Sequence, residues 1–132
     1  MKRINDTIEK HANNKLISYD ITVSQFKMLM ALHHTPEGTA TLKELESFFG
    51  VAQSTAAGIA ARLEKKNLVS SFSDPKDKRV KHIRLTDSGI AICENVIECI
   101  TETERRLLSG LTSEEQEQLN RLLQKVFNTM KP

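Results

Sequence analysis

Four cations and two carboxylates fall within the eight residues Asp74-Pro75-Lys76-Asp77-Lys78-Arg79-Val80-Lys81. Lys76, Lys78, Arg79 and Lys81 in such density suit phosphate oxygens, arginine through a planar fork and lysine as a mobile point charge. The flanks Val69-Ser70-Ser71-Phe72-Ser73 and Val80-Lys81-His82-Ile83-Arg84-Leu85 read as two short strands, so the charges sit at the tip of a hairpin. An ordinary solvated turn would carry similar charges. What precedes the hairpin decides between the two.

Upstream lies a pair of short helical patterns. Thr41 opens the first, with Glu44 as its capping-box partner and Leu42, Leu45, Phe48 and Phe49 at helical spacing. Gly50 suits the left-handed residue that closes a helix. The second starts near Gln53, buries Ala56, Ile59, Ala60 and Leu63, and stops at Lys65-Lys66-Asn67. Two helices joined by so tight a turn form a helix-turn-helix, whose second helix fits the DNA major groove. On that helix Gln53, Ser54, Thr55 and Arg62 can reach base edges and Lys65 can reach phosphate, although Lys65 and Lys66 would serve equally as cations at a helix C-terminus. Ala57, Gly58 and Ala61 leave the outward face bare.

These parts need a frame. Ile4, Ile8, Ala12 and Leu16 lie four apart, one face of a first helix. Thr22 and Gln25 make a capping box for a second, whose apolar stripe is Phe26, Leu29, Met30 and His33, ended by Thr35-Pro36-Glu37-Gly38. After the hairpin, Thr86 caps a long helix over about 87–109 with Ile90, Ile92, Val96, Ile97 and Ile100. Thr112 and Glu115 then start a last helix striped by Leu119, Leu122, Leu123, Val126, Phe127 and Met130. The expected order is four helices, a hairpin and two helices. Ile4, Ile8, Leu119, Leu122, Val126 and Phe127 supply more apolar surface than one small core absorbs, which points to a homodimer seam.

Composition is consistent with this. The 132 residues suit one domain, and 39% hydrophobic with 27% charged residues excludes a disordered chain. No apolar run is long enough for a membrane span, and the first residues lack a signal-peptide core, so a cytoplasmic location is expected. Net charge is only +2, but residues 41–86 carry nine basic against five acidic side chains and residues 87–132 five against eight. A basic middle in a nearly neutral chain is the footprint of a phosphate-binding surface. Cys93 and Cys99, about 9 Å apart along one helix, cannot bridge each other. They read as buried or half-buried thiols, with a redox sensor as the minority alternative. His11, His33, His34 and His82 have no ligand spacing for zinc. No phosphate loop, nucleophile motif or supported carboxylate pair suggests an enzyme, and no cofactor is expected.

Over essentially its whole length the chain resembles the MarR (multiple antibiotic resistance regulator) family. The most specific match is Asp77-x-Arg79 followed after five residues by Leu85-Thr86. Thr22-Val23-Ser24-Gln25-Phe26, Leu42-Lys43-Glu44-Leu45, Gln53-Ser54-Thr55, Leu63 to Val69 and Leu111-Thr112-Ser113-Glu114-Glu115 support it. The resemblance implies a mainly α fold with a small β-hairpin wing, a winged helix-turn-helix plus a helical dimerisation region. Dimerisation helices would span about 1–21 and 87–132. The DNA-binding part would span about 22–86, with the helix-turn-helix at 41–66 and the wing at 69–85. It further implies a homodimer on double-stranded DNA, Asp77 bracing the wing, Arg79 at its tip, and control of a repressor by a small apolar or phenolic effector bound between the two parts. An architectural DNA binder and a protein-interaction module without an effector are the alternatives. The latter would not need a cationic wing.

Overall fold

The computed structural model describes residues 2–130. The elements in chain order are α1 (Lys2–Ser18), α2 (Val23–His33), a 3-10 turn (Pro36–Gly38), β1 (Thr39–Thr41), α3 (Leu42–Phe49), α4 (Gln53–Lys65), β2 (Val69–Ser73), β3 (Lys81–Leu85), α5 (Asp87–Leu108) and α6 (Ser113–Met130). Threonine caps set most helix starts, each satisfying backbone donors that a first turn leaves orphaned. Gln25 N donates to Thr22 Oγ1 at 3.1 Å and Thr22 N to Gln25 Oε1 at 3.3 Å. Thr41 with Glu44 and Thr112 with Glu115 repeat that reciprocal box, and Thr86 Oγ1 accepts from Gly89 N.

The core is one cluster running from Leu16 and Ile21 through α2, α3, α4 and the sheet to Cys93 and Val96 on α5. α2 is its centre. Met28, Leu29 and Leu32 are fully buried, with Gln25 and Ala31 close behind. The stripe expected from the sequence, Phe26, Leu29, Met30 and His33, finds only one side of this helix, because α2 is enclosed by α1, α4, α5 and the sheet. On α5 the buried residues are Gly89, Cys93 and Val96, whereas Ile97 is exposed. Gly89 has a steric reason: a Cβ there would lie 2.2 Å from the Leu68 carbonyl oxygen.

The sheet has three strands in the order β1-β3-β2, all antiparallel, so the hairpin gains a strand that the sequence pattern does not show. Thr39 faces Arg84 and Thr41 faces His82 across β1 and β3, and Phe72 faces His82 across β2 and β3. β1 is three residues long and has no usable alternation, so only its pairing reveals it. Ile83 and Leu85 point into the core, while His82 and Arg84 take the opposite face.

Candidate nucleic-acid interface

α3 ends at Gly50, whose φ of 64° and ψ of 30° place it in the left-handed region, and the Gly50 and Val51 amides close the helix onto the Glu46 carbonyl. The chain thereby reverses and starts α4 within three residues. α4 presents Ala56, Ile59, Ala60 and Leu63 to the core, as the spacing predicts, and turns its opposite face to solvent. That outer face carries Ser54 and Thr55, then Gly58, then Ala61 and Arg62, then Lys65, at steps of three and four. Gln53, Ser54, Thr55, Ala61, Arg62 and Lys65 are exposed, and Ala57 and Gly58 are half-buried. Ala52 occupies the N-cap and contributes no side-chain bond, so first-turn amides of α4 lack the threonine cap that α2, α3, α5 and α6 have.

The wing loop is held by two carboxylates. Asp74 accepts from the Lys76 amide at 2.8 Å through one oxygen and meets His82 Nε2 at 2.9 Å through the other. Asp77 accepts from the Arg79 amide at 3.0 Å and from Arg79 Nε at 3.1 Å, while its second oxygen accepts from Arg79 Nη2 at 3.3 Å. These bonds to the charged form hold both carboxyls below the ordinary carboxylate range, His82 being the main cause at Asp74 and Arg79 at Asp77. The Asp77 carbonyl also accepts from Val80 N, and Asp74 N donates to the Val80 carbonyl, closing the loop. Lys76, Lys78, Arg79 and Lys81 all point outward, and the Arg79 side chain is 91% exposed. The loop is thus ordered from within and cationic without.

Sequence-predicted residues converge in part. Gln53, Arg79 and Lys81 line one open cleft between the start of α4 and the wing, joined there by Lys43 and Glu46. Arg62 and Lys65 sit at the other end of α4, about 13 Å along its axis. Asp74, His82 and Arg84 carry no functional mark in the sequence, yet they shape the wing. Phe72 stacks on His82 with ring centroids 5.1 Å apart and also lies under the Arg84 guanidinium, whose Nε donates to Thr39 Oγ1. Only cross-strand pairing brings these together. Phe48, expected to be apolar core on α3, is 69% exposed and packs edge-on against Phe49. α3 is short and only Leu45 of it is fully inside.

The second expected set lies on α1 and α6. Ile4 is 52% exposed, Leu122 53%, Val126 54% and Phe127 55%, with Ile8 and Leu119 half-buried. No residue of α6 is buried. Gln116 Nε2 ties α6 to the α5 corner through the Leu108 and Leu111 carbonyls, and Leu108, Leu119 and Leu123 line a groove there.

The MarR family profile matches residues 21–81, from the end of α1 to the far side of the wing. The multiple antibiotic resistance protein MarR of Salmonella typhimurium is 31% identical over 94% of this chain and 85% of its own length. The chain belongs to the MarR family. The HTH-type transcriptional repressor IacR of Pseudomonas putida is 26% identical over 98% of this chain and 77% of its own length. The solved S. aureus MepR–DNA complex matches with a TM-score of 0.86 at 29% identity, covering 98% of this chain and 96% of that one. As a MarR-family protein the chain is a DNA-binding transcriptional regulator and not an enzyme. Its fold is the winged helix of that family, mainly α with a small antiparallel sheet. Among the described residues no helix is long and apolar enough to cross a membrane.

Proposed function

We propose that this MarR-family chain acts in the cytoplasm as a homodimeric, ligand-responsive repressor that reads two half-sites about one helical turn apart on double-stranded DNA. α4 enters the major groove. Gln53, Ser54, Thr55 and Arg62 meet base edges, and Lys65 meets phosphate. The wing follows the flanking backbone with Lys76, Lys78 and Lys81, while Asp77 holds Arg79 at the tip. The observation that carries this reading is the meeting of Gln53 with Arg79 and Lys81 in one cleft beside the open outer face of α4. The dimer is proposed on Ile4, Ile8, Leu119, Leu122, Val126 and Phe127, since full burial of such side chains is worth roughly 1.5–3 kcal/mol each. The repressor reading draws support from the named role of IacR.

The test is selection of binding sites from randomised duplexes, followed by affinity against salt. A dimer neutralising ~6–10 phosphates gives a log–log slope of roughly −5 to −9. A slope near zero overturns the interface. An effector is sought by adding small phenols to the bound complex, and release of DNA at a saturable concentration supports it. A second reading, an architectural binder with little sequence preference, is favoured by the bare stretch Ala57, Gly58 and Ala61. Selection that yields tight binding without a motif would establish it instead.

A further inference from the structure

The C-terminal end of α4 is held by a residue that the phosphate footprint does not use. Lys66 caps the helix and is half-buried, whereas its neighbour Lys65 is exposed. The Lys66 ammonium crosses to the corner between α1 and α2. There it donates to the Asp20 carbonyl oxygen and, at 3.0 Å, to Gln25 Oε1. Asp20 is in the left-handed region at φ 56°, with its own amide turned back onto the Ile17 carbonyl. Gln25 is only 5% exposed, and the same Oε1 serves the capping box that starts α2. The next residues complete a second tie. The Asn67 carbonyl accepts from Thr86 Oγ1 at 2.8 Å and the Leu68 carbonyl from Thr86 N at 3.1 Å, fixing the start of α5. The end of the recognition helix is therefore fastened to the α1–α2 corner and to the start of α5, and α1 and α5 pack on each other.

We propose that Lys66 is a positioning residue that fixes the angle of α4 to the α1–α5 pair and so sets the half-site spacing that the dimer accepts. The proposal rests on the dimeric DNA-binding reading above. An ammonium donating to a backbone carbonyl and an amide oxygen makes charge-assisted bonds, stronger than neutral ones. Without them α4 keeps its core face but samples more orientations. Only a fraction of molecules then holds both recognition helices at the operator's pitch, and apparent affinity falls by that fraction.

The experiment compares the parent with Lys66→Met and Lys66→Arg on the selected operator and on duplexes with one base pair inserted or removed between half-sites. One base pair moves a half-site by about 3.4 Å and about 35°. The parent should discriminate sharply among the three. Lys66→Met should bind the parent spacing about tenfold more weakly if about a tenth of molecules remains competent. It should also lose most of the discrimination among spacings, with an unchanged salt slope, and Lys66→Arg should restore it. Lys66→Gln, whose shorter stem carries a neutral amide in place of the ammonium, makes the same comparison should the methionine variant not fold. A spacing profile like the parent's with a slope shallower by about two would make Lys66 a phosphate contact and overturn the proposal. Unchanged affinity and profile would overturn it as well. A parent that binds no duplex overturns the DNA reading, and this proposal with it.

Discussion

Gly58 stands in the middle of α4, where an alanine would stabilise the helix by about 1 kcal/mol. Among the described residues nothing asks for glycine there. A Cβ built at this position meets no heavy atom within 4 Å, and the backbone φ is not positive. Gly58→Ala should therefore raise stability by about 1 kcal/mol and the melting temperature by about 3–5 °C for a chain of this length. The same open space lies on the outer face of α4, four residues from Arg62 and three from Thr55. If DNA occupies it, the missing side chain lets the helix backbone approach the groove, and an added methyl must displace it. Gly58→Ala should then bind operator about tenfold or more weakly, and Gly58→Leu should bind weaker still, while both melt higher than the parent. Thermal melts and fluorescence anisotropy at one fixed salt concentration measure the two effects separately. Operator binding as tight as the parent's refutes the close-approach argument. A lower melting temperature refutes the claim that the space at 58 is open.

Arg79→Ala should weaken operator binding and make the salt slope shallower by about two for a dimer, with the dimer's sedimentation unchanged. Asp77→Ala removes the acceptor of three wing bonds; it should weaken binding with a smaller change in slope, and parent-like binding by both variants would show that the wing is not an interface. Because Arg79 lowers the Asp77 pKa from its ordinary 3.8, the wing bonds that need the carboxylate persist above that pH and are lost as pH falls through the lower folded value; an NMR titration of the Asp77 carboxyl with a midpoint above 3.8 would contradict the brace. Burial, helped by Glu94, pushes the Cys93 thiol up to about 11, so in native protein at pH 8 a thiol reagent should modify Cys99 and spare Cys93, and both should react after unfolding; rapid native labelling of Cys93 would show that α5 opens.

What the sequence reveals here depends on how far apart the interacting residues are. The caps at Thr22, Thr41, Thr86 and Thr112 bond three residues ahead, so their spacing is written in the chain. The buried stripe of α4 is equally legible, because it faces one partner layer. α2 is not, since it is enclosed on several sides and its buried set, Gln25, Met28, Leu29, Ala31 and Leu32, spreads wider than one narrow stripe. β1 acquires its identity from β3, more than forty residues on. The wing charges are legible as charges, but Asp74 as the partner of His82 emerges only when the hairpin register places them together. Lys66 is the sharpest case. Beside Lys65 it reads as a second cation at a helix end, whereas the fold spends one lysine on the α1–α2 corner 46 residues away and leaves the other in solvent. Two identical side chains, adjacent in sequence, thus meet different surroundings because a helix turns consecutive residues about 100° apart. The α6 stripe marks the complementary limit. Its period is plain in the sequence and its exposure plain in the fold, and the surface proposed to complete it, a second copy of the chain, lies outside one protomer.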